Sequence, residues 1–287
     1  MRILPRMKLN LSFAAILGYI FFSILHLVIF NSDTIAQNSP PPLPPVPVEQ
    51  ERGDFLIDES KPTFVIVHGA WGGSWAFREV EMLLRQKGYD VYRPSLTGLG
   101  ERYHLAHPEI NLTTHITDVI NTIIFEQLED IVLVGHSYGG MVITSVAHRI
   151  PERIQSLIYI DAFLPFDGES LEDLLLLEGN SDGLLNTESE GFLVPAWVLP
   201  DQPFPRDVPH PVKTFTEKVV LGHETALSIP ATYIHAVEPG TRQEDDNFHF
   251  SAERARERGW PVLMIESDHN PQWSSPERLV EMLHQNW

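Results

Sequence analysis

Cysteine is absent from the 287 residues of this chain. Its absence excludes disulfide bonds, thiolate nucleophiles and metal sites with cysteine ligands, and it leaves the redox compartment open. Basic residues are also scarce, because 20 lysines and arginines stand against 39 aspartates and glutamates. The formal charge of −19 argues against nucleic acid and anionic lipid headgroups as partners. Neither scarcity names a substrate.

The remaining composition fits one large folded domain with a short appendage. Hydrophobic residues make up 43% of the chain, which supplies a sizeable core. Short apolar runs alternate with stretches of helical spacing, and this predicts an α/β fold with a mostly parallel sheet covered by helices on both faces. The predicted strands are 64–67, 90–92, 131–134, 156–160, 231–237 and 261–265. The predicted helices include 74–87 with Ser74 as its cap, 115–126 and 276–285.

Residues 9–30 are almost wholly apolar and follow three basic residues, Arg2, Arg6 and Lys8. At about 1.5 Å per residue, such a run is long enough to span the hydrocarbon core of a membrane, with the basic flank on the cytoplasmic side. Residues 1–36 are therefore interpreted as an uncleaved signal anchor or as a signal peptide cut after Ala36. The length of the run favours the anchor. Both interpretations predict an exported protein, which is membrane-anchored in the first case and secreted or periplasmic in the second.

Two further segments, one before the folded domain and one inside it, can be interpreted from their composition and length. Residues 37–53 form a proline-rich linker with six prolines between positions 40 and 47, a composition that favours an extended spacer. The folded domain is expected over 54–287. Inside it, residues from about 167 to 230 separate two predicted strands by a stretch too long for a structureless loop. This insertion is interpreted as a cap over the site, with small helices early and irregular chain later.

The central motif is the pentapeptide GHSYG at 135–139, between a buried apolar strand and a stretch of helical spacing. A serine flanked by glycines in a strand–turn–helix context is typical of a nucleophile elbow. The turn is expected to hold Ser137 in a strained conformation, while Gly135 and Gly139 leave room for the adjoining strand and helix. The alternative is a tight turn whose serine only caps the helix, and the flanking pattern disfavours it.

A serine hydroxyl becomes nucleophilic only with an adjacent base, which in turn needs an orienting acid. His269 is the candidate base, because it follows the last predicted strand and so reaches the same sheet edge as Ser137. The backbone N–H groups of Ala70 and Tyr138 are the candidate oxyanion hole for a tetrahedral intermediate.

The other histidines and the remaining motifs point to no further chemistry. His68 and His136 are expected to hold loops together, whereas three more either line the pocket or support the structure: His210, His223 and His235. No metal site is predicted, because the close pair His104 and His107 lacks further ligands and no H-E-x-x-H motif occurs. No phosphate loop or dinucleotide fingerprint is present, and no cofactor is expected.

Five stretches, in the order HGAWGGSWAF, LTGLGER, GHSYGGMV, YIDAFLP and DHNPQWSSPERLVEML, resemble the α/β-hydrolase superfamily. More narrowly, they are similar to the branch of plant methylesterases, salicylate-binding esterases and hydroxynitrile lyases, with their bacterial relatives. The resemblance covers roughly 62–287. It implies the α/β-hydrolase fold with a cap, and a catalytic triad of serine, histidine and acid.

The acid of the triad departs from the pattern of that branch. Members usually carry an aspartate just after the penultimate strand, where this chain has Pro239. Glu238 lies one residue early, so it remains a candidate only if the loop turns differently. Asp161, at the end of the strand after the elbow helix, is the favoured alternative, as in the similar haloalkane dehalogenases and zearalenone lactone hydrolases.

Two further positions separate hydrolysis from lyase chemistry. Hydroxynitrile lyases of the branch carry threonine at the position of Gly69 and lysine at that of Asn270. The sequence thus predicts a serine carboxylesterase that cleaves small to medium hydrophobic esters through an acyl-enzyme, with catalytic residues Ser137, His269 and Asp161. The alternatives are a lactonase or lyase on the same triad, or a ligand-binding protein of the same fold without hydrolytic activity.

Overall fold

The computed structural model of the protein describes residues 61–177, 188–199 and 201–287. The predicted anchor or signal peptide (1–36) and the proline-rich linker (37–53) lie outside the described residues and stay predictions, as does the start of the domain at 54. Within the described part of the chain, no helix combines the length and the apolar character that crossing a bilayer would require.

The described residues contain nine strands and eight α-helices. The strands are β1 (Phe64–Val67), β2 (Val91–Tyr92), β3 (Ile131–His136), β4 (Ile154–Ile160), β5 (Glu188–Ser189), β6 (Phe192–Leu193), β7 (His210–Pro211), β8 (Ala231–Val237) and β9 (Val262–Glu266). The helices are α1 (Arg78–Gln86), α2 (Leu112–Phe125), α3 (Gly139–Ala147), α4 (Leu171–Leu177), α5 (Lys213–Thr216), α6 (His249–Glu257), α7 (Pro271–Ser274) and α8 (Pro276–Gln285).

The main sheet has six strands in the order β2-β1-β3-β4-β8-β9, and all its neighbouring pairs are parallel. Alternate residues of its strands point to opposite faces, and each face buries its own apolar cluster. Val65 and Leu133 pack on the side of α2 and α3, whereas Phe64 and Val132 pack on the side of α8. The predicted α/β architecture is confirmed, with all six predicted strands present.

Two helix starts differ from the prediction. The helix expected at 115 begins at Leu112, because the Asn111 side chain accepts the N–H of Thr114 at 3.0 Å in a capping box. The prediction that Ser74 caps a helix is wrong. Ser74 instead opens a 3₁₀ turn (Ser74–Phe77) that precedes α1, and its N–H donates to the hydroxyl of Ser95 at 2.8 Å.

The inserted segment from about 167 to 230 contains more regular structure than its sequence indicates. Its early helix is α4, but its later part forms a three-stranded antiparallel sheet in the order β5-β6-β7 where irregular chain was expected. Each of these strands is two residues long, too short for an alternating pattern to be visible. We call the described residues of this segment the cap.

The parallel order of the main sheet gathers four chain segments at one edge. β3, β4, β8 and β9 run side by side in the same direction. Because the carboxyl ends of parallel strands meet at one edge, the residues that follow these strands come together there. The segments after β3, β4 and β9 carry Ser137, Asp161 and His269.

Close approach of α3 to the chain after β4 generates a prediction for stability. A Cβ atom at Gly140 would lie 2.1 Å from the carbonyl oxygen of Phe163, a backbone atom that has no room to move. Overpacking of this kind lowers stability by about 1–3 kcal/mol or more, so Gly140→Ala should lower the Tm by about 2–12 °C. Thermal unfolding of the purified protein measures the change.

Gly222→Ala is the matched control, because its added methyl group meets no atom within 4 Å. Its Tm should equal that of the unsubstituted protein. Equal Tm values for both alanine variants would contradict the packing described here.

Candidate active site

Ser137 lies in the sharp turn between β3 and α3. Its φ of +54° is in the left-handed region, which costs a residue other than glycine of the order of 1–3 kcal/mol. Backbone hydrogen bonds hold this conformation: the Ser137 N–H donates to Ile160, and the Ser137 carbonyl accepts from Gly140 at 3.0 Å and from Phe163 at 3.1 Å. The strained turn raises the hydroxyl above the sheet edge.

The two glycines of the pentapeptide are required by close backbone contacts. A Cβ on Gly135 would lie 2.8 Å from the carbonyl oxygen of Gly139, and one on Gly139 would lie 2.6 Å from that of Val67. Because both neighbours are backbone atoms, a larger residue at either position would push the helix away from the sheet. These close contacts agree with the expectation from the sequence that both glycines leave room for the adjoining strand and helix.

His269 and Asp161 form a hydrogen-bonded pair. Nδ1 of His269 lies 2.7 Å from Oδ2 of Asp161, and the other carboxylate oxygen accepts the N–H of Ala236 at 3.1 Å. Asp161 is only 2% exposed, and burial raises the pKa of its carboxyl above the ordinary value, against the opposing effect of the His269 hydrogen bond.

Two aromatic side chains fix the ring and the loop of His269. The ring of Phe248 stacks on the imidazole with centroids 4.6 Å apart. Nε2 of His136 donates to the backbone carbonyl of His269 at 2.8 Å. Burial lowers the pKa of His136 to about 3, so this imidazole is neutral and its proton is on the nitrogen that donates.

Glu238, the other candidate acid, lies elsewhere. Its side chain is exposed at the start of the loop after β8, and in the described part of the chain no hydrogen bond joins it to His269. Its carbonyl accepts the N–H of Thr241 at 3.0 Å, which closes a turn directly after β8. The structure therefore brings Asp161 to His269 and leaves Glu238 outside the pair.

Ser137 and His269 line one cavity of about 320 Å³. No hydrogen bond joins their side chains within the described residues, as is common before substrate tightens such contacts. The walls are largely apolar and come from both the catalytic loops and the cap: Trp71, Phe163, Leu171, Leu175, Phe215 and Phe248.

The two backbone amides predicted to form an oxyanion hole both border this cavity. Ala70 and Tyr138 line it beside Ser137. Across the described ranges, neither N–H takes part in a backbone hydrogen bond, although both lie in tight turns whose other amides do. Two free donors next to a hydroxyl are the arrangement that would stabilise negative charge on a carbonyl oxygen.

Other histidines support the loops around the cavity. Nε2 of His68 accepts the N–H of Leu96 at 3.1 Å and so joins two loops, as the sequence indicates. His115, for which the sequence predicts only a place in a helix, bonds the hydroxyl of Tyr138 at 2.9 Å. Its signal in the sequence is weak, because a polar residue at a helix start is usually exposed. Burial lowers the pKa of both imidazoles to about 4.

The three histidines predicted either to line the pocket or to support the structure lie in different parts of the fold. His210 is fully buried in the cap and accepts the N–H of Trp71 at 3.0 Å. His223 is exposed and lies away from the cavity, and His235 is buried in β8, where Nε2 bonds Asp246 at 3.0 Å.

One group of described residues has a geometry that a metal ion accepts. Ligand atoms of Asp161, His235 and Asp246 lie within 4.8 Å of one another. The carboxylate of Asp161 is already bonded to His269 and Ala236, so a metal ion there would compete with the Asp161–His269 pair.

Comparison with known proteins matches the sequence to a family of hydrolases and to individual hydrolases. The Alpha/beta hydrolase family matches residues 64–282. A carbendazim hydrolyzing esterase from a Nocardioides species is 54% identical over 112 residues, and this match covers 39% of the chain and about half (46%) of that esterase. A pyrethroid hydrolase from Sphingobium wenxiniae is 26% identical over 247 residues, covering 76% of the chain and 85% of the relative.

A solved structure gives the same fold. An extracellular alpha/beta-hydrolase from a Paenibacillus species superposes with a TM-score of 0.65 at 24% identity, covering 79% of this chain and 99% of that one. At this identity the likeness concerns the fold alone.

The buried histidines generate a prediction for the pH dependence of stability. Unfolded histidine takes up a proton near pH 6.5, whereas folding lowers the pKa of His115 to about 4. Between pH 6.5 and pH 4 the unfolded chain therefore binds more protons than the folded protein. The contribution of His115 to the free energy of unfolding is fully present above pH 6.5 and is lost as the pH falls towards 4. The Tm should drop over this range, and His115→Gln should make the drop shallower.

His104→Gln serves as the control, because His104 is exposed. Thermal unfolding at several pH values measures both variants. Identical slopes for His115→Gln and the unsubstituted protein would contradict a neutral, buried His115.

Proposed function

This chain belongs to the alpha/beta hydrolase family, and on that premise we propose that it is an esterase in which Ser137 is the nucleophile. His269 is the general base and acid, and Asp161 is the acid that orients it. The observation that carries the proposal is the 2.7 Å bond between His269 and Asp161 beside a serine held at a φ of +54°.

The first half of the reaction forms the acyl-enzyme. Substrate enters the cavity, and His269 removes the proton of the Ser137 hydroxyl as the oxygen attacks the ester carbonyl. The carbonyl oxygen becomes an oxyanion and receives the N–H groups of Ala70 and Tyr138. The intermediate then collapses, His269 gives its proton to the leaving alcohol, and the acyl group stays on Ser137.

The second half releases the acid. A water molecule takes the place of the alcohol, His269 removes one of its protons, and the resulting oxygen attacks the acyl carbonyl. The same two amides receive the oxyanion a second time. Protonation of Ser137 by His269 restores the free enzyme. Asp161 remains ionised and stabilises the imidazolium in both halves.

The cavity limits the substrate. A volume of about 320 Å³ is at the small end of ligand pockets, and aromatic walls favour a compact apolar acyl or alcohol group. The similarity to a carbendazim hydrolyzing esterase supports aromatic methyl carbamates as a further class, because a carbamate carbonyl is open to the same attack. We therefore propose small to medium hydrophobic esters and carbamates as substrates.

The loop before Ala70 supports hydrolysis over lyase chemistry. A Cβ on Gly69 would lie 3.0 Å from both Cβ of Ser137 and Nδ1 of His136. The threonine that hydroxynitrile lyases carry at this position would crowd the nucleophile here. Glycine instead leaves the carbonyl of an ester free access to Ser137.

Substitution of the nucleophile tests the proposal. The protein should hydrolyse p-nitrophenyl acetate and take up a fluorophosphonate label, and Ser137→Ala should lose both. Removal of a catalytic serine or histidine typically costs on the order of 10⁴–10⁶ in kcat, so His269→Ala should also become inactive. Unchanged labelling of the Ser137→Ala protein would rule out this serine as the nucleophile.

A pair of conservative variants tests the acid. Asp161→Asn should lower kcat by about 10⁴, because the amide favours the wrong tautomer of His269. Glu238→Gln removes a charge of the same type at the same sheet edge and should keep the unsubstituted rate. Steady-state kinetics with p-nitrophenyl acetate compares them, and the reverse result would assign the role to Glu238.

A further inference from the structure

The loop that carries the Ala70 amide contains a strained turn centred on Trp71. The Ala70 carbonyl accepts the N–H of Gly72 at 2.7 Å, and Trp71 itself has a φ of +61°. An i→i+2 hydrogen bond around a residue with positive φ is the rare and strained form of the γ-turn. A bulky side chain makes this conformation costly, so other contacts must hold it.

Three hydrogen bonds from the cap hold Trp71. The Trp71 N–H donates to Nδ1 of His210 at 3.0 Å, and the Trp71 carbonyl accepts the N–H of Val208 at 2.9 Å. Its indole Nε1 donates to the carbonyl of Leu193 at 3.0 Å. Leu193 and His210 are register partners in the small sheet of the cap, so one rung of that sheet holds both the backbone and the side chain of Trp71.

The surroundings of His210 indicate that its Nδ1 acceptor is needed. The imidazole is fully buried against the stacked rings of Tyr138 and Phe215, with its centroid 5.0 Å from each. Because the Trp71 N–H occupies Nδ1, the proton of the neutral ring is on Nε2, which has no partner among the described residues. A buried donor without a partner costs about 1–3 kcal/mol, so an apolar residue would be the more stable choice if packing alone mattered.

We propose that His210 is a positioning residue through which the cap fixes the oxyanion loop. The proposal rests on the proposed function, in which the Ala70 amide receives the oxyanion. The His210 bond occupies the Trp71 N–H and holds the turn, which leaves the preceding amide aimed into the cavity beside Ser137. The cap therefore contributes to the chemical step without touching the substrate's reacting atoms.

Three substitutions separate this role from packing. His210→Asn keeps an acceptor close to the position of Nδ1, whereas His210→Gln carries its polar atoms near the position of Nε2. His210→Leu keeps apolar volume and has no acceptor. Val219→Ala is the control for a loosened cap, because Val219 is 2% exposed in the same core and does not line the cavity.

Kinetics with p-nitrophenyl acetate gives the first readout. His210→Gln and His210→Leu should lower kcat by about 10–100-fold with little change in KM, since full loss of one oxyanion donor typically costs about 10²–10³. Inhibition by an aryl trifluoromethyl ketone, whose serine adduct carries an oxyanion, should weaken by a similar factor. His210→Asn and Val219→Ala should stay within about threefold of the unsubstituted protein.

Amide hydrogen exchange at Trp71 gives a second readout that needs no turnover. Exchange should accelerate at least about tenfold in the Gln and Leu variants, because the amide loses its acceptor, and should stay slow in the Asn variant. If the unsubstituted protein hydrolyses no ester, the proposed function fails while the exchange data still decide whether His210 holds the loop. The proposal would be overturned if the Gln and Leu variants both kept the kcat and the Trp71 exchange rate of the unsubstituted protein. It would also be overturned if Val219→Ala lost as much kcat as these His210 variants.

Discussion

A carboxylate with almost no access to water is the group on which the geometry of the site depends. Asp161 is at the end of β4, accepts an N–H from β8, and binds the imidazole of His269 that follows β9. Leaving a buried charged group without a hydrogen-bond partner typically costs about 1–3 kcal/mol or more, because its desolvation is no longer compensated. Three neighbouring strands must therefore be in register for this carboxylate to be tolerated, and the same register positions His269.

Among the described residues, three of the six non-glycine residues with positive φ lie around the same edge of the sheet. Ser137, Asp161 and Trp71 have φ values of +54°, +43° and +61°, and each belongs to a loop of the site. Strain of this kind persists only where packing and hydrogen bonds over-determine the conformation. Here the turn of Ser137 is held by the chain after β4, and that of Trp71 by the cap. The free energy stored in these loops is thus balanced by the sheet and by the insertion.

Local sequence patterns predicted the parts of the structure that depend on residues close together in the sequence. The elbow could be recognised because strand, turn and helix are adjacent in sequence, and five motifs in order gave the superfamily. The resemblance to related hydrolases favoured Asp161 over Glu238, but the contact of Asp161 with His269 depends on how β4, β8 and β9 align, which no local pattern contains. Two-residue strands in the cap have no visible period, and the contact between His210 and Trp71 joins positions 139 residues apart.

The tie between His136 and the carbonyl of His269 has a consequence for the proposed catalytic cycle. In that cycle, the imidazole of His269 alternates between neutral and cationic forms as it takes up and gives up a proton. His136 lies beside it, with ring centroids 4.8 Å apart, but burial holds the pKa of His136 near 3 and keeps it uncharged throughout. The segment that carries His269 is therefore anchored by a group whose charge does not change during the proposed cycle, so the proposed base would keep its position through every proton transfer.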